Sequence, residues 1–305
     1  AGTSFALVRW QQRLRDSGVI CSLWQYVRLR WKLRQASRLI IIADFDRTVT
    51  TARVNGQMGL SCHGIIEHGP GLSKAYFNET QALFRHYHAI EVSTAYSREQ
   101  KIPFMTEWYE KAHELMLREP VNPVGIRHTI ADPETLLQLR PGVARLVGWA
   151  HRNQVPLVVF TAGLTNVASA VLLHKLGPPA ACLPIVGNTL YFRDGASEAD
   201  SHATAFSEPL VHMFNKDGRT IMRQLGTEWD RIASGRSVVL VLGDSLGDSS
   251  MADGLLGLKT ICKVGFLNEP PGDKQEALMN DYARAFDALV LGDGPMDLVL
   301  ELLGV

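Results

Sequence analysis

A doubly wound α/β fold, with a parallel central sheet and a mainly helical insertion, is the architecture this sequence predicts. Three observations carry it. Short, continuously apolar runs recur at Leu39–Phe45, Pro156–Phe160 and Ser237–Leu242, with weaker ones at Thr260–Val264 and Ala288–Leu291. Runs of this kind mark parallel strands buried on both faces. Helical patterns separate most of them, an alternation that builds a doubly wound sheet. Between residues 51 and 139 the alternation stops, and a His- and aromatic-rich stretch with helical spacing intervenes.

The chain has 305 residues, 46% of them apolar, enough for one large core and a smaller inserted domain. Lys+Arg and Asp+Glu both number 31, which argues against an obligate nucleic-acid partner held by overall charge. Cys21, Cys62, Cys182 and Cys262 are far apart with no CxxC pair, so neither a zinc site nor a disulfide scaffold is expected. No apolar run approaches the roughly 18 residues of a membrane-spanning helix, and no secretory signal is evident.

Residues 1–38 form a basic segment: eight Lys and Arg against Asp16 alone. The spacing predicts helix over 5–35, broken near Ser17-Gly18. Ile20, Leu23, Trp24, Val27 and Trp31 fall on one stripe, expected to pack on the body with the arginines facing solvent. A contact with an anionic surface, or a targeting role, is the alternative for this segment. Leu39–Phe45 then opens the core. The insertion, 51–139, includes Phe84-Arg85-His86-Tyr87-His88 and Phe104 to His113. Arg140-Pro141-Gly142-Val143 reads as the return to the core, which takes residues 39–50 and 140–305.

Four short motifs carry chemistry. Asp44-Phe45-Asp46-Arg47-Thr48 ends the first buried strand, where i and i+2 carboxylates on extended backbone point the same way. The carboxyl end of a parallel strand is where open α/β sheets bind ligands. Gly243-Asp244-Ser245-Leu246-Gly247-Asp248 follows another strand and suits a hard cation held by oxygen. Thr161-Ala162-Gly163 offers a hydroxyl and free amides near a helix start at Leu164, a pattern shared by anion sites and ordinary caps. Lys216 by itself reads as surface, and gains weight only beside the other three.

In this order, each at a strand end, the four motifs match the signature of the haloacid dehalogenase superfamily. Longer segments go further. Cys62-His63-Gly64-Ile65-Ile66, Ala89-Ile90-Glu91-Val92, Pro103 to His113, Phe160 to Gly163, His212 to Lys216, Leu242 to Gly254 and Gly265 to Asn268 resemble the pyrimidine 5′-nucleotidase family, the cytosolic 5′-nucleotidase III type. The likeness runs from about residue 39 to the last residue. Residues 103–113 and 242–254 are specific to that family.

The resemblance implies a Rossmann-like core with a cap domain, and a nucleoside 5′-monophosphate substrate. It makes Asp44 the nucleophile that forms an aspartyl-phosphate and Asp46 the general acid and base. It implies Mg²⁺ held by Asp44, the Asp46 carbonyl and Asp244, with Asp248 one step behind. Thr161, Ala162, Gly163 and Lys216 would bind the phosphoryl oxygens. Glu91 would contact the base, and Phe104, Trp108, Tyr109 and His63 would wall it in. UMP and CMP are the expected substrates, 7-methylguanosine monophosphate the alternative, with phosphotransfer to another nucleoside open. A non-catalytic nucleotide-binding protein is the competing class, opposed by the intact Asp44, Asp46, Lys216 and Asp244. A cytoplasmic monomer is expected, with a mitochondrial location the alternative if the Arg-rich start is a targeting segment. Thr161 in place of the family's Ser, and Gly64 in place of a larger side chain, bear on base preference rather than reaction type. Ser197–His202 reads as an added loop.

Overall fold

The computed structural model describes residues 18–305 apart from 94, 194 and 196. Gly18, at φ 68°, turns the chain into a short strand, β1 (Val19–Ile20). Helix α1 (Leu23–Leu33) follows, started by a capping box between Ser22 and Gln25. Of the helix expected over 5–35, residues 5–17 lie outside the described ones. The rest corrects the expectation: Val19–Ile20 is strand, and Tyr26, Leu29 and Leu33 are the buried face. Ile20, Trp24, Val27 and Trp31 face outward. The helix can offer the sheet only one face, and a second stripe, Tyr26-Leu29-Leu33, was present to take it. Pairing of β1 with the last strand fixes the start of α1 and so the phase in which it packs.

Strand β2 (Leu39–Ala43) is buried throughout. A hairpin, β3 (Arg53–Val54) and β4 (Gln57–Met58), comes next, where helix was expected. Its turn residues Asn55 and Gly56 both have positive φ, the pairing that an Asn-Gly two-residue hairpin favours. Four helices follow: α2 (Cys62–Glu67), α3 (Lys74–Val92), α4 (Arg98–Leu117) and α5 (Pro123–Ala131). Ser61, Ser73, Ser97 and Asn122 cap them in turn, each accepting from a backbone N–H three residues on. Thr50 and Leu139 pair across an isolated antiparallel bridge, closing the base of this insertion.

The chain continues through α6 (Val143–Arg152), β5 (Leu157–Leu164), α7 (Thr165–Leu176) and β6 (Ile185–Asn188). A hairpin of β7 (Leu190–Arg193) and β8 (His202–Phe206) contains the expected added loop in its connection. Then come α8 (Gly218–Leu225), α9 (Thr227–Ala233), β9 (Val238–Gly243), β10 (Thr260–Leu267), α10 (Asp273–Ala285), β11 (Ala288–Leu291) and α11 (Asp297–Leu303). Seven strands form one sheet in the order β1-β11-β10-β9-β2-β5-β6, parallel except for β1. Alternate residues of β2 serve opposite faces. Leu39, Ile41 and Ala43 join α1, α6, α7 and α11, while Ile40 and Ile42 join α8 and α9. The fold is therefore doubly wound around a mainly parallel sheet. No helix among the described residues is long and apolar enough to cross a membrane.

Candidate active site

The order β9-β2-β5 places three carboxyl ends side by side at the middle of the sheet. Asp44 and Asp244 stand just beyond the ends of β2 and β9, and Thr161 lies three residues before the end of β5. Asp44 continues the ladder through its N–H, bonded to the Leu242 carbonyl at 2.9 Å. The chain then turns sharply: Arg47 adopts φ 66°, a left-handed conformation costly for a side chain of this size. Two features hold that turn. Thr50 Oγ1 accepts from the Arg47 N–H at 2.8 Å. The Arg47 carbonyl accepts from Asn268 Nδ2 at 2.9 Å and from the guanidinium of Arg140.

Among the described residues, Arg140 is the largest fully buried side chain. It also donates to the carbonyls of Thr48 (2.8 Å) and Gly294 (2.6 Å) and to Asn268 Oδ1 (2.9 Å), and it pairs with Asp293 at 3.2 Å. Sequence reading treated Arg140 only as a boundary marker. The available signal was an arginine directly before Pro-Gly at the junction with a buried core.

Lys216, buried in the loop before α8, donates to Asp44 Oδ1 at 2.5 Å and to Asp248 Oδ1 at 2.7 Å. Burial opposes its charge, but Asp248 and Asp44 outweigh that and leave the ammonium more basic than usual. The other oxygen of Asp248 accepts from the N–H groups of Asp244 and Ser245 and from the Ser245 hydroxyl. Asp248 thus orients both the lysine and the loop. Gly243 permits this, because a Cβ there would lie 2.2 Å from that of Asp248.

Burial pushes the Asp44 carboxyl well above its usual range, against the pull of Lys216. Burial, then Asp248, raises Asp244 to about 7. Carboxylate oxygens of Asp44, Asp244 and Asp248 lie within 4.8 Å of one another, and Asn268 and Thr48 approach Asp244 at 3.5 and 3.4 Å. The three carboxylates make an all-oxygen donor set, without sulfur or imidazole. It fits a small hard cation such as Mg²⁺.

Asp46 accepts at Oδ1 from the Cys62 N–H, 2.9 Å away at the start of α2, and burial raises its carboxyl above the usual range. Thr161 is buried, its Oγ1 accepting from the Gly163 N–H at 2.8 Å. The strand runs on through this motif to Leu164, further than the sequence suggested, and the Gly163 amide, one of those expected to be free, is engaged by the Thr161 hydroxyl. A Cβ on Gly163 would meet Cys62 Cβ at 2.7 Å and Asp46 Oδ2 at 3.1 Å, so only glycine lets β5 and α2 approach here.

A cavity of about 550 Å³ extends from these groups up between the helices of the insertion. Asp44, Asp46, Thr161, Ala162, Gly163, Lys216, Asp244 and Asp248 all line its floor. Of the residues expected around a base, His63, Trp108 and Tyr109 line it; Glu91 and Phe104 do not. Glu91 instead lies 3.1 Å from His88 on its own helix, and its carbonyl accepts from Lys101. Phe104 packs edge-on to Tyr96. Glu67 and Phe84, which sequence reading passed over, line the cavity. Spacing carried the signal: Glu67 lies one turn beyond His63 on α2, and Phe84 one turn beyond Thr80, another lining residue, on α3. Glu67 accepts from Gln81 Nε2 at 3.2 Å, and burial raises its carboxyl above the usual range.

Beside the cavity, His63, His113 and His212 gather around Tyr109, and His113 stacks on Phe206 with ring centroids 3.6 Å apart. Burial lowers His63 to about 4 and His212 to about 4. Burial, then His63, lowers His113 to about 3.

The family described as pyrimidine 5′-nucleotidase (UMPH-1) matches residues 47–305. The 7-methylguanosine phosphate-specific 5′-nucleotidase of Gallus gallus is 30% identical over 296 residues, 97% of this chain and 94% of that protein. The crystal structure of cytosolic 5′-nucleotidase IIIB bound to cytidine superposes with a TM-score of 0.81 at 28% identity, covering 96% of this chain and 95% of the other. In fold alone, the chain is also similar to a haloacid dehalogenase family hydrolase from Salmonella enterica serovar Typhi, at a TM-score of 0.51 and 13% identity over 87% of this chain and 71% of that one.

Proposed function

The chain belongs to the pyrimidine 5′-nucleotidase family and is a 5′-nucleotidase, and from that premise we propose that it hydrolyses pyrimidine and 7-methylguanosine 5′-monophosphates through an aspartyl-phosphate on Asp44. One observation carries the reading: a single cavity joins the buried Asp44-Asp46-Lys216 cluster to an aromatic chamber that has a carboxylate in its wall.

Lys216 occupies one oxygen of Asp44, which leaves the other to attack phosphorus. As the Asp44–phosphorus bond forms, the bond to the ribose O5′ breaks, and Asp46 gives that oxygen its proton. The raised carboxyl of Asp46 suits a group that must hold a proton in the first half-reaction. Asp46 then takes a proton from water, whose oxygen displaces Asp44 and releases phosphate. Lys216 and the Thr161 hydroxyl hold the phosphoryl oxygens. Asp44, Asp244 and the Asp46 carbonyl would hold Mg²⁺, which offsets the charge of the group in transfer. Asp248 keeps Lys216 and the Asp244 loop in place. A nucleoside hydroxyl in the position of the water would give phosphotransfer by the same steps.

Trp108 and Phe84 offer flat faces to a base, and Glu67 offers an acceptor. Cytosine presents an exocyclic amine, and 7-methylguanine presents N–H donors on a cationic ring that an indole face favours. The name of the Gallus relative points the same way. Phosphate release from UMP, CMP, AMP, GMP, 7-methylguanosine monophosphate and an aryl phosphate, with Mg²⁺ and with chelator, tests the reading. Release from 7-methylguanosine monophosphate and CMP should exceed that from AMP and GMP by about tenfold or more. Glu67→Gln should erase that preference while sparing the aryl phosphate, and Glu91→Gln should change it less. Equal rates on every nucleotide would remove base reading from this chamber, and undiminished release in chelator would remove Mg²⁺.

A further inference from the structure

The outward face of α1 is out of keeping with an ordinary surface helix. Trp24 is 84% exposed, Trp31 68% and Val27 50%. At 100° per residue these three side chains share one stripe, directly opposite Tyr26, Leu29 and Leu33, which fix the helix to the sheet. Arg28 flanks the stripe on one side and Arg34 on the other, with Lys32 farther round beside Arg28. From residue 18 to 38 the chain carries Arg28, Arg30, Lys32, Arg34 and Arg38 and no Asp or Glu. We propose that this face of α1 docks on an anionic lipid bilayer.

Tryptophan at the headgroup boundary, with arginine and lysine beside it, is how helices lie in a membrane interface. Each basic group adds attraction to an anionic leaflet. The neighbouring helix α11 contributes Asp297 and Glu301, two carboxylates against five cations. A second copy of the chain fits poorly, because self-pairing of this face would set one basic segment against another. A single-stranded nucleic acid fits less well than lipid. The two indoles are two helical turns, roughly 10 Å, apart, and aliphatic Val27 stands between them where stacked bases would have to run. Helix α1 lies over β9 and β10, whereas the catalytic cavity opens at the carboxyl ends of the strands. A docked helix therefore leaves the cavity clear.

The test is co-sedimentation of the full chain with phosphatidylcholine vesicles, with and without roughly 30% phosphatidylserine. Binding should require the anionic lipid and should fall at least about tenfold as salt rises from about 0.1 to about 0.5 M. Trp24→Ser/Trp31→Ser should weaken it about tenfold or more with nucleotidase turnover unchanged, and Arg28→Glu/Arg34→Glu should do the same. No sedimentation with anionic vesicles, or equal sedimentation of the tryptophan variant, would overturn the proposal. So would a tryptophan-dependent dimer in analytical ultracentrifugation, or tryptophan-dependent binding to single-stranded RNA without binding to vesicles.

Discussion

Asp44 and Lys216 illustrate what a residue type at a given place can and cannot reveal. The Asp-x-Asp-x-Thr pattern was legible because two carboxylates right after a continuously apolar strand have few structural uses. Lys216 was legible only in company: it is 172 positions from Asp44, and nothing local distinguishes it from a surface lysine. Its burial between Asp44 and Asp248 makes it the fixed cation of the site. Asp44→Asn keeps the shape of the side chain and relieves a buried carboxylate of its charge. We expect turnover to fall at least about 10³-fold, as for loss of a covalent nucleophile, while the thermal midpoint stays within a few degrees. A rate near that of the parent would mean that no covalent bond forms at residue 44. Glu91 and Glu67 show how a carboxylate's place at a cavity depends on helix phase: Glu91 meets His88 and acts electrostatically on Tyr109 of the chamber wall, while Glu67 lines the cavity itself.

Elements were legible where burial dictates composition. The central strands read directly because a strand covered on both faces must be apolar at every position. Strands β1 and β6 did not, being two and four residues long, with Gly187 inside the second. The phase of α1 was misread because two apolar stripes compete on it, and only tertiary pairing of β1 selects between them. Junctions between elements are where single residues matter most. Gly163→Ala would press a methyl group against Cys62 and Asp46. Turnover should fall sharply, and Cys62→Gly in the same chain should recover part of the loss, since it removes both the Cβ at 2.7 Å and the Sγ at 3.0 Å from the new methyl group; additive losses would mean that the two sites do not touch. Arg140→Met would take a donor from three carbonyls, that of Thr48 fully buried, and the ion-pair partner from Asp293. Urea unfolding should show a loss of about 3–5 kcal/mol, and turnover should drop although Arg140 touches no substrate. Stability within about 0.5 kcal/mol of the parent would show that the turn at Arg47 holds without this clamp.

At the scale of the whole molecule, the inserted helices meet the core through a histidine-rich contact. His63 on α2 and His113 on α4 come from the insertion, while His212 and Phe206 come from the core side. All three imidazoles titrate well below the ordinary value because burial penalises their charge. Among the described residues, His113 Nε2 has no hydrogen-bond partner, so the ring is held neutral with nothing to stabilise a proton on it. In the unfolded chain each ring takes its proton near pH 6.5, whereas folded His113 resists until about 3. Between those values the unfolded state binds more protons, so stability is full above pH 6.5 and declines as pH falls through that window. One histidine contributes at most about 1.4 kcal/mol per pH unit to that slope. His113→Phe keeps a flat ring against Phe206 and removes one titrating group. Its unfolding free energy, measured in urea from pH 7.5 to 4.5, should decline less steeply than the parent's, approaching a difference of about 1.4 kcal/mol per unit below pH 6.5. Parallel curves would mean that His113 takes up its proton at the same pH folded as unfolded, and that the contact between insertion and core tolerates charge. A flatter curve would show that folding withholds a proton from His113, so that acid weakens this contact between insertion and core.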